Sequence, residues 1–219
     1  MKRVMSTAIL AMLCAMPTAR ATVIEDATAG IGANMFSTIA GTTTITFDSG
    51  TFSNDAGASF SGTGAIVAQS LPSLDAAPDG DTTAFLGVPG PDPSLTSGTE
   101  TISFNAQHNY FGLFWGSIDS YNTISFYDDN VLVGSYGGAQ ISNPANGDQS
   151  ADQTNEYVNF SFTGGDTFDE VVLASDGRSF EVDNLAVNNS VVEPASVALV
   201  GAGLIGLGLT ARRRRRAAF

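Results

Sequence analysis

Carboxylates are the side chains through which this sequence could do chemistry. Asp75, Asp79 and Asp81 fall in one loop that also contains proline and glycine, and Asp128, Asp129 and Asn130 form a second cluster. Oxygen ligands of this kind suit a hard cation, and calcium is the ion they would hold, although neither cluster has the full spacing of a helix-loop-helix calcium site. Asp183 joins the first group as a candidate ligand, because a β-bulge at Asp183-Asn184 can aim a carboxylate at a bound ion. The competing role for each of these acids is a solvated turn, where Asp and Asn are favoured anyway. A carboxylate pair about 5 to 10 Å apart across a cleft would instead make a glycosidase. No acid, however, stands out in an aromatic cleft.

Other catalytic chemistries find few parts. The sole cysteine, Cys14, lies in the first 21 residues, so the remainder has no thiol nucleophile and no disulfide. His108 is the one histidine, and by itself it cannot build a zinc site. It sits between Gln107 and Asn109 without a nucleophile-elbow pattern nearby and is expected to be a solvated loop residue. For sugar recognition the flat aromatic faces are the natural stacking surfaces. Tyr127 alternates with Thr123 and Ser125 and so belongs on a wet face; Tyr121 is a second candidate. Trp115 stands in a segment apolar on both faces and is expected in the core.

Charge narrows the partners. The net charge is −13, but the bases sit at the two ends: residues 22–190 hold 21 acids and one base, Arg178, a net of −20. Such a surface repels phosphate backbones and anionic lipid, which removes nucleic acid and membrane-surface binding from consideration.

The elements that must position these residues read as strands. Thr42–Phe47, Ala58–Ala68, Thr83–Val88, Thr99–Asn105, Tyr110–Gly116, Thr123–Tyr127, Val131–Tyr136, Tyr157–Phe162, Phe168–Ala174 and Phe180–Val187 are short apolar alternations between Gly, Asp, Asn and Pro turns. Only Ala27–Ile39 has any helical spacing. The economical solution is all-β, an antiparallel β-sandwich of jelly-roll type, with a closed barrel as the competing one. In the last strand Phe180 and Val182 share one phase while Leu185 and Val187 share the opposite one, which requires an extra residue at Asp183-Asn184.

The ends read as addresses. Lys2 and Arg3, the apolar run Val4–Met16 and the small-x-small site Ala19-Arg20-Ala21 predict a signal peptide over 1–21, removed by signal peptidase to start the chain at Thr22. Residues 22–190 form the expected extracytoplasmic domain. At the other end, Pro194–Ala211 offers 18 uncharged residues before Arg212–Arg216, the pattern of one C-terminal transmembrane helix with a cytoplasmic stop.

The tail over 191–219, with Glu193, Pro194 and Ala195 ahead of the Gly- and Leu-rich helix and the arginine cluster, resembles the PEP-CTERM sorting signal, with Val192 where the usual first proline stands. The resemblance implies an exosortase partner, cleavage near the motif, and delivery to the surface or matrix of a Gram-negative, exopolysaccharide-producing bacterium. The segments 110–127 and 180–187 are similar to the ectodomains of exosortase-dependent surface proteins, which implies a secreted β-rich domain and transfers no catalytic residue. The expected function is a non-enzymatic structural or adhesive component of the envelope or exopolysaccharide matrix. The alternatives are a carbohydrate-binding module, with or without calcium, and a hydrolase using a carboxylate pair.

Overall fold

The computed structural model describes residues 35–189 and the backbone of one strand at Thr22–Asp26. Twelve strands follow in chain order among these residues: β1 Thr22–Asp26, β2 Thr43–Ile45, β3 Ala58–Gly62, β4 Ala65–Val67, β5 Phe85–Val88, β6 Gly98–His108, β7 Tyr110–Gly116, β8 Asn122–Asp128, β9 Val131–Gly137, β10 Glu156–Ser161, β11 Phe168–Ser175 and β12 Phe180–Asn188. A seven-stranded sheet runs β1-β10-β7-β12-β5-β4, with β2 also paired to β12, and a five-stranded sheet runs β3-β6-β11-β8-β9. Every pairing is antiparallel.

Period-2 alternation decides which side chains enter the space between the sheets. From the seven-stranded sheet come Phe111, Leu113 and Trp115, with Val158 and Phe160, and Phe180, Val182, Leu185 and Val187. Ile102, Phe104, Ile124, Phe126, Val171 and Leu173 meet them from the other sheet. Trp115 is 0% exposed and stacks on Phe180 with ring centroids 4.3 Å apart. The all-β, antiparallel sandwich expected from the alternations is the architecture observed.

Two expectations change. Ala58–Ala68 is not one strand: the chain turns a corner at Gly62-Thr63-Gly64, so β3 lies in one sheet and β4 in the other. A Cβ at position 62 would stand 2.2 Å from the Thr99 carbonyl oxygen, and the Gly64 N–H donates to the buried Glu100 carboxylate at 2.9 Å. The helical spacing of Ala27–Ile39 leads to no helix over its described part, which bends at Met35-Phe36 and again at Ile39; residues 27–34 lie outside the described ones. No helix among the described residues is long and apolar enough to cross a membrane, and the expected membrane helix lies outside them.

Candidate functional site

β12 carries the site. Phe180 and Val182 enter the core, so Glu181 and Asp183 must project from the opposite face of the sheet. An outer face is ordinarily wet, yet Glu181 is 3% exposed and Asp183 0%. The cover is the connection between β4 and β5, residues 68–84. It can lie this close because the residues paired with Glu181 on both sides, Gly87 of β5 and Gly116 of β7, have no side chains. A Cβ at Gly87 would come within 2.3 Å of Asp75 Oδ1, and one at Gly116 within 2.6 Å of Pro78 Cα.

Under the first half of this cover, Glu181 is fully hydrogen-bonded. Its Oε1 accepts the Ala76 N–H at 3.0 Å and the Ser179 hydroxyl at 2.5 Å, and its Oε2 accepts the Ser117 hydroxyl at 3.0 Å. Ser179 Oγ also lies 3.0 Å from Asp75 Oδ1. One hydroxyl has one proton to give, so the second contact is favourable when one of the two carboxyls is protonated. Burial raises the pKa of Asp75, and pushes Glu181 to about 7 against its hydrogen bonds. Two carboxyls raised by burial around one hydroxyl thus favour a proton on one of them.

Arg178, the one base of residues 22–190, stands beside this pair but is already occupied. Its Nη1 donates to the carbonyls of Asp92 (2.8 Å) and Leu95, its Nη2 to that of Gly90 at 3.0 Å, and its Nε points at that of Leu74 at 3.5 Å. Nη2 also lies 3.9 Å from Asp75 Oδ2. The guanidinium therefore ties two loops to the turn before β12. Over these groups opens a cavity of about 370 Å³ walled by Ser70, Ser73, Asp75, Gln149, Arg178 and Glu181 among others.

The second half of the cover meets Asp183. Thr83 Oγ1 and N–H both donate to Asp81 Oδ1, at 2.7 and 2.8 Å, and Thr83 Oγ1 lies 3.3 Å from Asp183 Oδ2. Asp81 Oδ2 and Asp183 Oδ1 are buried and meet no donor among the described residues. Burial raises the pKa of Asp183 to about 7, and the facing Asp81 carboxyl and the charge of Asp48 push in the same direction. The expected bulge is present. Between the pairs Asp183–Phe114 and Ala186–Gly112, β12 has two residues where β7 has one, and Asn184 adopts φ +51°.

The structure thus divides the four candidate metal ligands. Asp81 and Asp183 come together, Asp75 pairs with Glu181 instead, and Asp79 uses its N–H to bond Asn155 Oδ1 at 3.0 Å. Among the described residues no three His, Cys, Asp or Glu side chains are grouped to hold a metal ion. Asp129 and Asn130 form the β8–β9 turn with φ of +47° and +65°, while Asp128 accepts from Gln107 Nε2 at 2.8 Å. Tyr127 is half-buried on the outer face of β8, in step with Thr123 and Ser125. Tyr121 is engaged within the fold: its hydroxyl donates to the Arg178 carbonyl at 2.6 Å and its ring lies over Gly177.

His108 departs from expectation. It is the last residue of β6, buried, with its ring 5.0 Å from that of Phe104 and 6.1 Å from that of Phe168. Burial lowers its pKa, which favours the neutral ring. The strand runs three residues past its expected end at Asn105, and this carries His108 into the core. Ala19, Ala21, Glu193, Pro194 and Ala195 lie outside the described residues.

Sequence reasoning missed Arg178, Glu181, Ser117 and Ser179 as site residues. The available signal was Glu181 in phase with Asp183, opposite to Phe180 and Val182, three residues after the one base of residues 22–190.

No protein-family model matches the chain, and no curated protein is significantly similar to it. Among solved structures it is similar to the CBM32-1 and CBM32-2 domains of Clostridium perfringens ZmpB, with 13% identity over 59% of this chain and a TM-score of 0.35. The same domains in complex with GalNAc give 12% identity over 59% of this chain and a TM-score of 0.32. CpGH89CBM32-6 from Clostridium perfringens gives 10% identity over 58% of this chain and 94% of its own, at a TM-score of 0.30. The chain spans about a third of the two ZmpB structures, covering 33% and 32% of them. Superpositions at this level carry no argument about ligand or activity.

Proposed function

We propose that this chain is an exported, exosortase-sorted surface protein and a non-enzymatic structural or adhesive component of a polysaccharide matrix, with the cavity over β12 as its contact for a neutral, hydroxyl-rich ligand. The observation that carries the binding part is that cavity. Its volume of about 370 Å³ falls within the range of small-molecule sites, about 300 to 1,000 Å³. Its polar lining comes from Ser70, Ser73 and Gln149, groups that exchange hydrogen bonds with sugar hydroxyls. An anionic sugar is disfavoured, because the lone guanidinium is spent on carbonyl groups and the surroundings are acidic.

The hydrolase alternative fits the geometry less well. Carboxyls of a glycosidase flank the scissile bond, whereas the space between Asp75 and Glu181 is filled by the Ser179 hydroxyl. Export is read from Lys2 and Arg3, the apolar run Val4–Met16 and the small-x-small site Ala19-Arg20-Ala21. Tyr127, on the outer face of the other sheet, remains a second stacking surface.

The test is retention of the protein on immobilised neutral and anionic polysaccharides in the presence of chelator. Neutral material should retain it, and Gln149→Trp, which puts a bulky ring at the cavity wall, should weaken retention at least tenfold while leaving circular dichroism unchanged. Equal retention of wild type and variant would remove the cavity from the reading. Release of reducing ends from the matrix would overturn the non-enzymatic part.

A further inference from the structure

We propose that Asp81 and Asp183 seat a divalent cation of the calcium class beneath the 68–84 connection, fastening that connection to the bulge of β12. Two buried oxygens point to it. Asp183 is 0% exposed and Asp81 8%, and each keeps one oxygen, Oδ1 and Oδ2 respectively, buried without any N–H or O–H of the described residues to meet it. The only shared donor is the Thr83 hydroxyl, whose single proton goes to Asp81 Oδ1 at 2.7 Å, leaving Asp183 Oδ2 a longer 3.3 Å contact. Buried, facing carboxylates without a counter-charge are costly, and the cost is ordinarily met by a cation or a proton. Among the described residues the one Lys or Arg is Arg178, and it is held by the carbonyls of Gly90, Asp92 and Leu95 and faces Asp75.

The chemistry of the donors selects the ion. All are oxygens, which suits hard cations, and softer metals would want nitrogen or sulfur. Only two protein carboxyls meet at the seat, which is buried, so the choice between hard ions rests on dehydration: magnesium gives up its water reluctantly and calcium more readily. Two carboxylates, with water completing the shell, place the affinity on the order of 10⁻⁴ to 10⁻³ M, the class of extracellular calcium modules. The acid acting on the seat from a neighbouring element is Asp48, after β2, and its charge favours cation uptake.

The experiment compares thermal unfolding of the intact protein at pH 7.5 in chelator, in sodium chloride, in magnesium and in calcium at matched ionic strength. Calcium should raise the Tm above that in sodium chloride by about 3 °C at tenfold excess over the Kd. Magnesium should do less. Asp183→Asn and Asp81→Asn should each abolish the calcium-specific part, while Asp128→Asn, at the β8–β9 turn, should keep it. Calorimetric titration of the wild type should find one calcium per chain, which decides the matter even if a variant fails to fold. The proposal is overturned if calcium and sodium chloride act alike and no binding heat appears, or if Asp183→Asn retains the calcium response. It is equally overturned if calcium does nothing and Asp183→Asn stabilises the protein above pH 7, since a shared proton, and not a metal ion, then relieves the two carboxylates.

Discussion

At the scale of single residues, Glu181 makes stability depend on pH with an unusual sign. Its pKa rises from 4.5 unfolded to about 7 folded because burial disfavours the carboxylate. The native state therefore binds the proton more tightly, and stability is highest below about pH 4.5 and falls as pH rises through about 7. The fall attributable to Glu181 is about 3 kcal/mol, and Asp183, also raised to about 7, adds in the same direction. Asp92 and Asp148, whose pKa values Ser94 and Ser150 lower, oppose this at the acid end, and His108, whose pKa burial lowers, opposes it below about pH 6.5 without outweighing two raised carboxyls. Chemical denaturation from pH 4.5 to 8 should show the decline in wild type and a flatter profile in Glu181→Gln. A profile that rises across that window would contradict the burial argument. Arg178→Lys should also destabilise, by about 1 to 3 kcal/mol, because an ammonium cannot reach several carbonyls at once and leaves buried acceptors unmet.

At the scale of elements, the bulge and the paired glycines allow one sheet face to carry buried acids. Asn184 holds φ +51°, a conformation that Asn and Gly adopt readily and a β-branched residue does not. Asn184→Gly should cost little beyond its lost side chain, whereas Asn184→Val should cost about 1 to 3 kcal/mol more by equilibrium unfolding. Near-equal stabilities would mean that β12 can shed the bulge. Gly87→Ala should act at a distance from its own strand: its Cβ must displace Asp75, so the 68–84 cover should loosen and become protease-sensitive while the core persists. Trp115→Ala belongs to the opposite class. Removing a ring stacked on Phe180 between the sheets should cost about 3 to 5 kcal/mol and melt the domain as a whole.

For the molecule as a whole, charge and processing are the testable properties. Residues 22–190 at −20 repel themselves in the compact state, so sodium chloride alone should raise the Tm by screening, before any calcium-specific gain. No response to salt would mean that the carboxylates are already too dispersed to matter. Processing at Ala21 and near Glu193-Pro194 predicts a surface form without either basic end. Intact mass of cell-surface material checks it: a form still bearing Arg212–Arg216 would replace the sorting reading with a plain membrane anchor.

Local pattern was enough for much of this. Apolar residues on both faces make Tyr110–Gly116 a central strand and put Trp115 in the core, because only a strand covered on both sides hides both sets of side chains from water. The phase slip between Val182 and Leu185 likewise requires the bulge before any coordinate is known, since one extra residue is the only way both pairs can face one core. Folding alone decided the corner at Gly62–Gly64, the extension of β6 that buries His108, and the sorting of acids into Asp75 with Glu181 and Asp81 with Asp183. Those outcomes depend on which chain segment lies over which strand. Asp75 and Glu181 are more than a hundred residues apart and meet only because Gly87 and Gly116 leave room above β12, a coincidence of register that no local pattern encodes.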